Sequence, residues 1–545
     1  AIFDDRKNLS IISLMAAGDI PPHFYMNSTD YSAYHYGSQL LGSSLMRIGN
    51  MFPWSAFDLE KAIWWGYGII LSALLGMRLI KRRLAGVITA FILVFASTTR
   101  YLLLLFPAKF LSGLNQVVTL QGTSAAGGEP FSEALRTGWV TAGGPPTPYP
   151  FAFLNGFGSN YVLAHAGTVT LSIVIFILFW LTVPRQKGLL SLPVNLILFS
   201  VWALAWETSY ALFAIGLGII FIIALFRRRL LTIDGLSWLF LALVCSVPLV
   251  LVQGGTLTEF ARSLVADLGG APGAASAPVS MSGFMFRWPP ALVSAHLGSL
   301  PLNSWPMLLV ALLESGPALW LAPWITIWGW KKFRQGDWLV GVMVISSWVG
   351  FLLPMFLVYQ VDRDITRLSG YALTTWTLLL AWMVWKEFPA KQIARRFVMI
   401  GGLALMCLSG VVVGVVQLSA IQQPVTGLDL NGMDARVTQL TWDQLPQGAE
   451  VFDPIQWRAV AVTGRLTRAT DLNYELLPGY RALYKNPTVA GFLSSGYDYV
   501  YVDENWWETI PATGQKELSQ GCVKILAEAT HRTDFRRLLD LTGCR

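Results

Sequence analysis

Residues 78–106 read RLIKRRLAGVITAFILVFASTTRYLLLLF. Arg78, Lys81, Arg82 and Arg83 form a basic cluster, and the 23 residues that follow, 84–106, carry a single charge at Arg100. About 20 apolar residues cross a ~30 Å hydrocarbon core, so the stretch reads as a cytoplasmic turn followed by a membrane span. Comparable apolar runs occur at 62–79, 161–183, 190–206, 209–226, 230–252, 304–330, 338–358, 368–385 and 397–421. The 545-residue chain is 54% hydrophobic and 13% charged, about half the ~25% charge of soluble domains. Its mean hydropathy is +0.52. These figures exclude a soluble enzyme, a disordered chain and a disulfide-stapled secreted module, and predict a polytopic α-helical membrane protein of about ten spans.

The distribution of basic residues orients it. Segments 78–83, 185–187, 227–229, 331–334 and 386–396 are basic and occupy every second connection, as cytoplasmic loops do. The loops 1–61, 107–160, 253–303 and 360–367, and everything after 421, then face outward across a plasma (inner) membrane. Ala1 is already external, which leads us to expect a missing first helix and about eleven spans in all. The net charge of +7 reports this topology and gives no sign of nucleic acid. All five histidines (His23, His35, His165, His296 and His531) fall on the external side.

Three regions are expected: a first external loop with interfacial helices (1–61), a multi-span domain (62–421) and an external α/β domain (422–545). The last carries short β runs at 449–452, 497–502 and 522–527, with helix-like stretches at 488–493 and 514–518. Its compartment permits a disulfide, and spacing leaves a Cys522–Cys544 bond open. Cys245 and Cys407 lie in spans as packing residues. There is no P-loop and no dinucleotide fingerprint. Gly-rich pieces at 122–128, 143–150 and 269–278 read as loop tips.

The first loop is the most informative. It runs Phe3-Asp4-Asp5-Arg6-Lys7, then an apolar helix, a break at Gly18-Asp19-Ile20-Pro21-Pro22, Tyr34-His35-Tyr36-Gly37, and a second helix to about Ile48. Asp4 and Asp5 suit either an N-terminal helix cap or a carboxylate general base. Between two later spans lies Asp362-Arg363-Asp364-Ile365-Thr366-Arg367. Arg363 and Arg367 are one helical turn apart, and their guanidinium forks match a lipid phosphate; the plainer reading is snorkelling paired with Asp362 and Asp364. Arg100, Glu207 and Glu314 are charges at membrane depth. Arg100 and Glu207 suit either partners near an external cavity or a buried structural pair, and Glu314, with Gly316 and Pro317, reads as a helix break. The aromatic, proline-rich loop 131–157 suits sugar stacking or packing, and His165 sits at the mouth of a span.

The acidic pair, the two interfacial helices about the Gly-Asp-x-Pro-Pro break, and Tyr-His-Tyr-Gly resemble the GT-C integral-membrane glycosyltransferases. More narrowly they are similar to uncharacterised bacterial relatives of the protein mannosyltransferase and aminoarabinose transferase group. Residues 496–503 (GYDYVYVD), Trp506-Trp507 and 535–538 (FRRL) resemble the external C-terminal domain of those relatives. The resemblance implies transfer of a sugar from a polyprenyl-phosphate donor in the bilayer to an acceptor hydroxyl of a glycan, lipid or protein. It implies Asp5, with Asp4, as the catalytic carboxylate, and a divalent cation (Mg or Mn) in the metal-dependent members. Arg6 and Lys7 depart from the usual acidic or neutral surroundings and would weaken the base. The resemblance favours Arg363 and Arg367 as phosphate ligands, with Tyr34, His35, Arg100, His165 and Glu207 as the cavity candidates. The alternatives are a catalytically silent scaffold that binds a protein partner through the C-terminal domain, and a transporter of lipid-linked sugars.

Overall fold

The computed structural model describes residues 5–120, 129–140, 146–154, 156–157, 168–182, 191–227, 235–268, 284–359, 365–386, 393–420, 430–472 and 474–545. Asp4, His165 and Arg363 lie outside them, as do the Gly-rich pieces 122–128 and 269–278; Asp5 opens a helix, but its side chain is not among the described ones.

Helix α1 (Asp5–Ala16) ends at Gly18. Gly18 takes φ +104°, its N–H donates to Met15 O, and Asp19 N–H donates to Leu14 O. This pair of bonds closes a helix C-terminus and needs a residue at ease in the left-handed region, which glycine supplies. Asp19 then accepts from His23 N and Nδ1, both at 2.8 Å, fixing the turn into the hairpin His23–Phe24/Asn27–Tyr31. Helices α2 (Gln39–Gly49) and α3 (Pro53–Ile80) follow. The three pack closely: a Cβ on Gly42 would stand 2.6 Å from Glu60 Oε2 and 2.8 Å from Ile12 Cδ1.

Helix α1 is buried on two sides. Ile11 and Met15 meet Tyr36 and Leu204. Leu9, Ile12 and Ala16 meet Trp457, Val460 and Ala461 of the C-terminal region. Ser10 Oγ and Ser13 Oγ donate to Trp457 O (3.2 Å) and Ala461 O (2.7 Å). These serines carry the polar satisfaction of an otherwise apolar contact.

Among the described residues, four helices are long and apolar enough to cross a membrane: Pro53–Ile80, Glu207–Phe226, Trp338–Phe356 and Ile393–Val416. A fifth span arises if Leu236–Val252 and Thr256–Val265, bent by 77°, are taken together. Shorter apolar helices stand at Arg83–Phe95, Val169–Thr182, Ser191–Ala205 and Trp305–Ser315. Two of the expected spans are therefore broken. The run 84–106 is helical only to Phe95, passes through an irregular 96–99 and resumes as a 3-10 helix at Arg100–Leu105. The run 304–330 stops at Gly316 (φ +68°), where Pro317 starts a new helix. Window hydropathy sums over such breaks because the flanking residues stay apolar.

The two breaks meet. Thr99 N–H and Oγ1 both donate to Leu313 O, and the adjoining helices pack into one large apolar core.

Residues beyond 430 build a four-stranded sheet ordered Lys524–His531, Asp534–Asp540, Tyr499–Asp503, Val451–Phe452. The last pair is parallel and the others antiparallel. The strand Asp534–Asp540 is absent from the expected β runs; its FRRL segment pairs with Tyr501–Asp503. Short helices flank the sheet, among them Arg458–Thr463 and Glu504–Thr509. Cys522 and Cys544 are disulfide-bonded.

Candidate functional site

Tyr34-His35-Tyr36-Gly37 is pinned against the turn between helices Ser191–Ala205 and Glu207–Phe226. Gly37 N–H donates to Leu204 O at 3.0 Å. A Cβ on Gly37 would lie 2.9 Å from Ala205 N and Leu204 C, so the approach excludes a side chain. Tyr36 Oη donates to Gln253 O at 2.6 Å, and burial pushes its phenol up to about 12, which keeps it a donor. The break at Pro21 rests on Gly254, whose φ of +93° and Cβ position 2.7 Å from Pro21 Cβ require glycine.

This clamp puts His35 on Glu207. His35 Nδ1 lies 3.1 Å from Glu207 Oε2. Glu207 Oε1 lies 3.9 Å from Arg367 Nη1, an ion pair beyond hydrogen-bond reach. Trp206 packs beneath: its ring is 5.1 Å from the imidazole and 5.4 Å from the Arg367 guanidinium. On the other side Tyr34 is 3.7 Å from the His35 ring, and Lys7 Nζ stands 3.0 Å over the Tyr34 ring. His35 is 1% exposed, Glu207 13% and Arg367 31%, so the cluster opens towards the arginine.

Burial lowers the His35 pKa; Glu207 opposes this, and Arg367 and Lys7 add to it. The imidazole is thus neutral at pH 7. A carboxylate only accepts, so Nδ1 carries the proton and donates to Glu207. Among the described residues Nε2 has no hydrogen-bond partner.

The structure brings Tyr34, His35, Glu207 and Arg367 together, and puts Lys7 of α1 beside them. It separates Arg100. Arg100 does not pair with Glu207 as expected: its Nε and Nη2 grip Glu314 Oε2 (2.6 Å) and Oε1 (3.0 Å), with both side chains fully buried. It also reaches Phe151 O, Leu154 O and His296 Nδ1 (3.2 Å), and the Phe151 ring lies 4.4 Å beneath it. Ser294 Oγ completes Glu314 at 2.8 Å. Glu314 is therefore the counter-ion of Arg100 as well as the neighbour of a helix break. Phe151, with no exposed surface, packs under that pair and offers no platform to a sugar. The sequence alone marks Lys7 only as a departure and gives Trp206 no role; the pairing of an aromatic with Glu207 at a helix start is the available signal for Trp206.

The C-terminal motifs have structural roles. Arg458 forks onto Asp453 Oδ1 (2.7 Å) and Oδ2 (3.1 Å) and reaches Asp503 (2.7 Å). Tyr501 Oη donates to Asp434 at 2.6 Å, and Asp503 caps the helix Glu504–Thr509 through Trp506 N–H. Buried charges satisfied in this way hold a core.

Among the described residues no group of three or more His, Cys, Asp or Glu side chains converges as a metal-binding set. Glu207 is committed to His35 and Arg367, so the described cluster does not fit a divalent cation.

No family model and no curated protein matches the chain. Among solved structures, similarity is found to the oligosaccharyltransferase of Archaeoglobus fulgidus tethered to an acceptor peptide, at 12% identity and TM-score 0.42, over 91% of this chain and 64% of that one. It is also found to the AglB oligosaccharyltransferase of that organism with an inhibitory peptide and a dolichol-phosphate, at 12% identity and TM-score 0.40, over 98% and 70%. The chain thus spans 64% and 70% of the length of these two proteins. At such scores the likeness assigns neither a family nor an activity.

Proposed function

We propose that the protein is an integral-membrane glycosyltransferase of GT-C type that moves a sugar from a polyprenyl-phosphate donor to an acceptor hydroxyl on the extracytoplasmic side. The observation that carries this is the convergence of Lys7 and His35 of the first loop with Glu207 and Arg367 from two distant parts of the chain. Lys7 and Arg367 bring positive charge to that cluster, the chemistry that an anionic lipid phosphate calls for. It lies at the end of Glu207–Phe226 that the basic-loop phase assigns to the external interface, where the headgroup of a lipid donor resides.

Arg367 is assigned to the donor phosphate, with Arg363 beside it in sequence. Asp5, at the start of α1 and two residues from Lys7, is assigned as the general base, with Asp4. The acceptor oxygen attacks the anomeric carbon with inversion, and its proton passes to the carboxylate. The bond from the anomeric carbon to the phosphate oxygen breaks, and polyprenyl phosphate leaves with the electron pair. Fixed cations beside that oxygen stabilise the charge as it develops. A divalent cation, if used, would have to be held by groups other than the described cluster. The C-terminal region, docked on α1 through Ser10 and Ser13, is assigned to orienting the acceptor.

Mass spectrometry of lipids extracted from the gently purified protein tests the reading. The parent is expected to carry a polyprenyl-phosphate sugar that Arg367→Ala loses. Bulk phospholipid alone in both samples would overturn the donor assignment and favour a scaffold subunit.

A further inference from the structure

The strand Met285–Phe286 pairs antiparallel with Leu357–Val358, the two residues that follow the apolar helix Trp338–Phe356. Arg287 N–H extends the pairing to Phe356 O at 2.7 Å. Further on, Pro290 O accepts from Leu302 N–H at 3.0 Å, just before the apolar helix Trp305–Ser315 begins. Residues 284–288 are thus tied to the end of one apolar helix and to the approach of another.

Their side chains are arranged the wrong way round for water. Successive residues of a strand point to opposite faces, and a strand at an aqueous surface turns its charges outward. Here Phe286 and Trp288 are 71% and 73% exposed, while Arg287 between them is 9% exposed. The arginine turns inward, and its Nη1 donates to Ser299 Oγ at 2.9 Å. Phe284 and Met285 are exposed as well. The apolar patch continues onto the helix: Phe284 packs on Tyr359 at 4.7 Å, and Phe286 stacks on Phe356 at 6.4 Å. Phe286 and Phe356 also line an apolar furrow of about 600 Å³ that follows the helix from Gly341 to Phe356. At 1.5 Å per residue this is about 22 Å, most of a hydrocarbon core. Inside the furrow Trp348 Nε1 donates to Thr326 Oγ1, which donates to Ala322 O, so neither calls for water.

We propose that residues 284–288 are an interfacial insert, which seats Phe286 and Trp288 in the headgroup and ester region of the bilayer at this end of Trp338–Phe356. The loop 253–303, expected outside the membrane, returns to it here. An exposed apolar patch fits either a protein partner or a lipid surface. Continuity with the furrow and with the ends of two apolar helices selects the lipid. Tryptophan is favoured at that level of a bilayer, and exposed Trp305 opens the second helix in the same way. Burying the guanidinium of Arg287 while exposing its aromatic neighbours suits a medium that is apolar on the outside.

Spin labelling of the full chain in phosphatidylcholine nanodiscs tests the inference, with Trp288→Cys in a Cys245→Ala background. Cys245 is the exposed free thiol, Cys407 is buried, and Cys522 and Cys544 are bonded to each other. Collisions with oxygen and with a water-soluble nickel chelate report the surroundings of the label. Ile222→Cys, exposed on Glu207–Phe226, is the lipid reference, and Glu508→Cys, exposed on Glu504–Thr509, is the water reference. The label at 288 is expected to favour oxygen over nickel, as at 222, with the ratio reversed at 508. Phe286→Cys should give the same reading from the strand itself, which keeps the test decisive if Trp288→Cys misfolds. A ratio equal to that at 508 would put the patch in water, and access to neither probe would put it under protein. Either result overturns the insert.

Discussion

Arg100 and Glu314 form a two-pronged ion pair in which neither side chain is exposed, and they join two helices at the points where both are broken. The pair also collects Phe151 O, Leu154 O and Ser294 Oγ, so the loop 151–154 and the hairpin Ala291–Ser294/Gly298–Pro301 are fastened at the same place.

Removing one partner of such a pair leaves an uncompensated buried charge, at a cost of about 3–5 kcal/mol. Arg100→Met and Glu314→Leu should each lower the thermal unfolding midpoint sharply in detergent. The double replacement should recover part of the loss. Single variants that unfold at the parental temperature would refute the pair's structural role.

Gly37→Ala places a Cβ 2.9 Å from Ala205 N and Leu204 C, both backbone atoms that cannot swing aside. The turn carrying His35 must shift away from Glu207. We expect about 1–3 kcal/mol of destabilisation, the usual scale of overpacking. Unfolding curves of parent and variant in the same detergent check this.

The His35 pKa is lowered in the folded chain, first by burial. Below its unfolded value of about 6.5 the unfolded chain binds a proton that the folded chain resists. This contribution is intact above that pH and is lost as pH falls through the lower folded value. The unfolding midpoint of the parent should therefore decline from pH 7.5 to 5 more steeply than that of His35→Gln. Parallel curves would contradict the lowered pKa.

Cys522 and Cys544 close a loop with a sequence separation of 22. A cross-link of that length stabilises by about 3 kcal/mol, chiefly by restricting the unfolded chain. Cys522→Ser/Cys544→Ser should unfold earlier than the parent by that amount, and reductant should shift the parent and leave the variant unchanged.

Much of the architecture was legible because it rests on local physics. Apolar runs mark helices in a bilayer wherever they fall, and Gly18 followed by Asp19 and two prolines stops a helix by its own backbone preferences. The stretch Tyr34–Gly37 stood out as polar and aromatic between two apolar helices, and it lies at the centre of the described cluster. The strand Asp534–Asp540 was not legible, because Arg536 and Arg537 hide its period-two pattern; Arg536 turns inward to Asp434 and Glu504.

By itself the sequence determined the membrane class of the chain and the residues able to carry charge chemistry. Only the tertiary structure decided which charges meet. Arg100 could have joined Glu207 or Glu314, since hydropathy and spacing treat the two carboxylates alike. The choice follows from where helices break and cross: Thr99 bonds Leu313 O, which carries Arg100 to Glu314, and Gly37 seats on Leu204, which carries His35 to Glu207. Partners separated by 214 and 172 residues are set by packing in three dimensions, and no local preference encodes them.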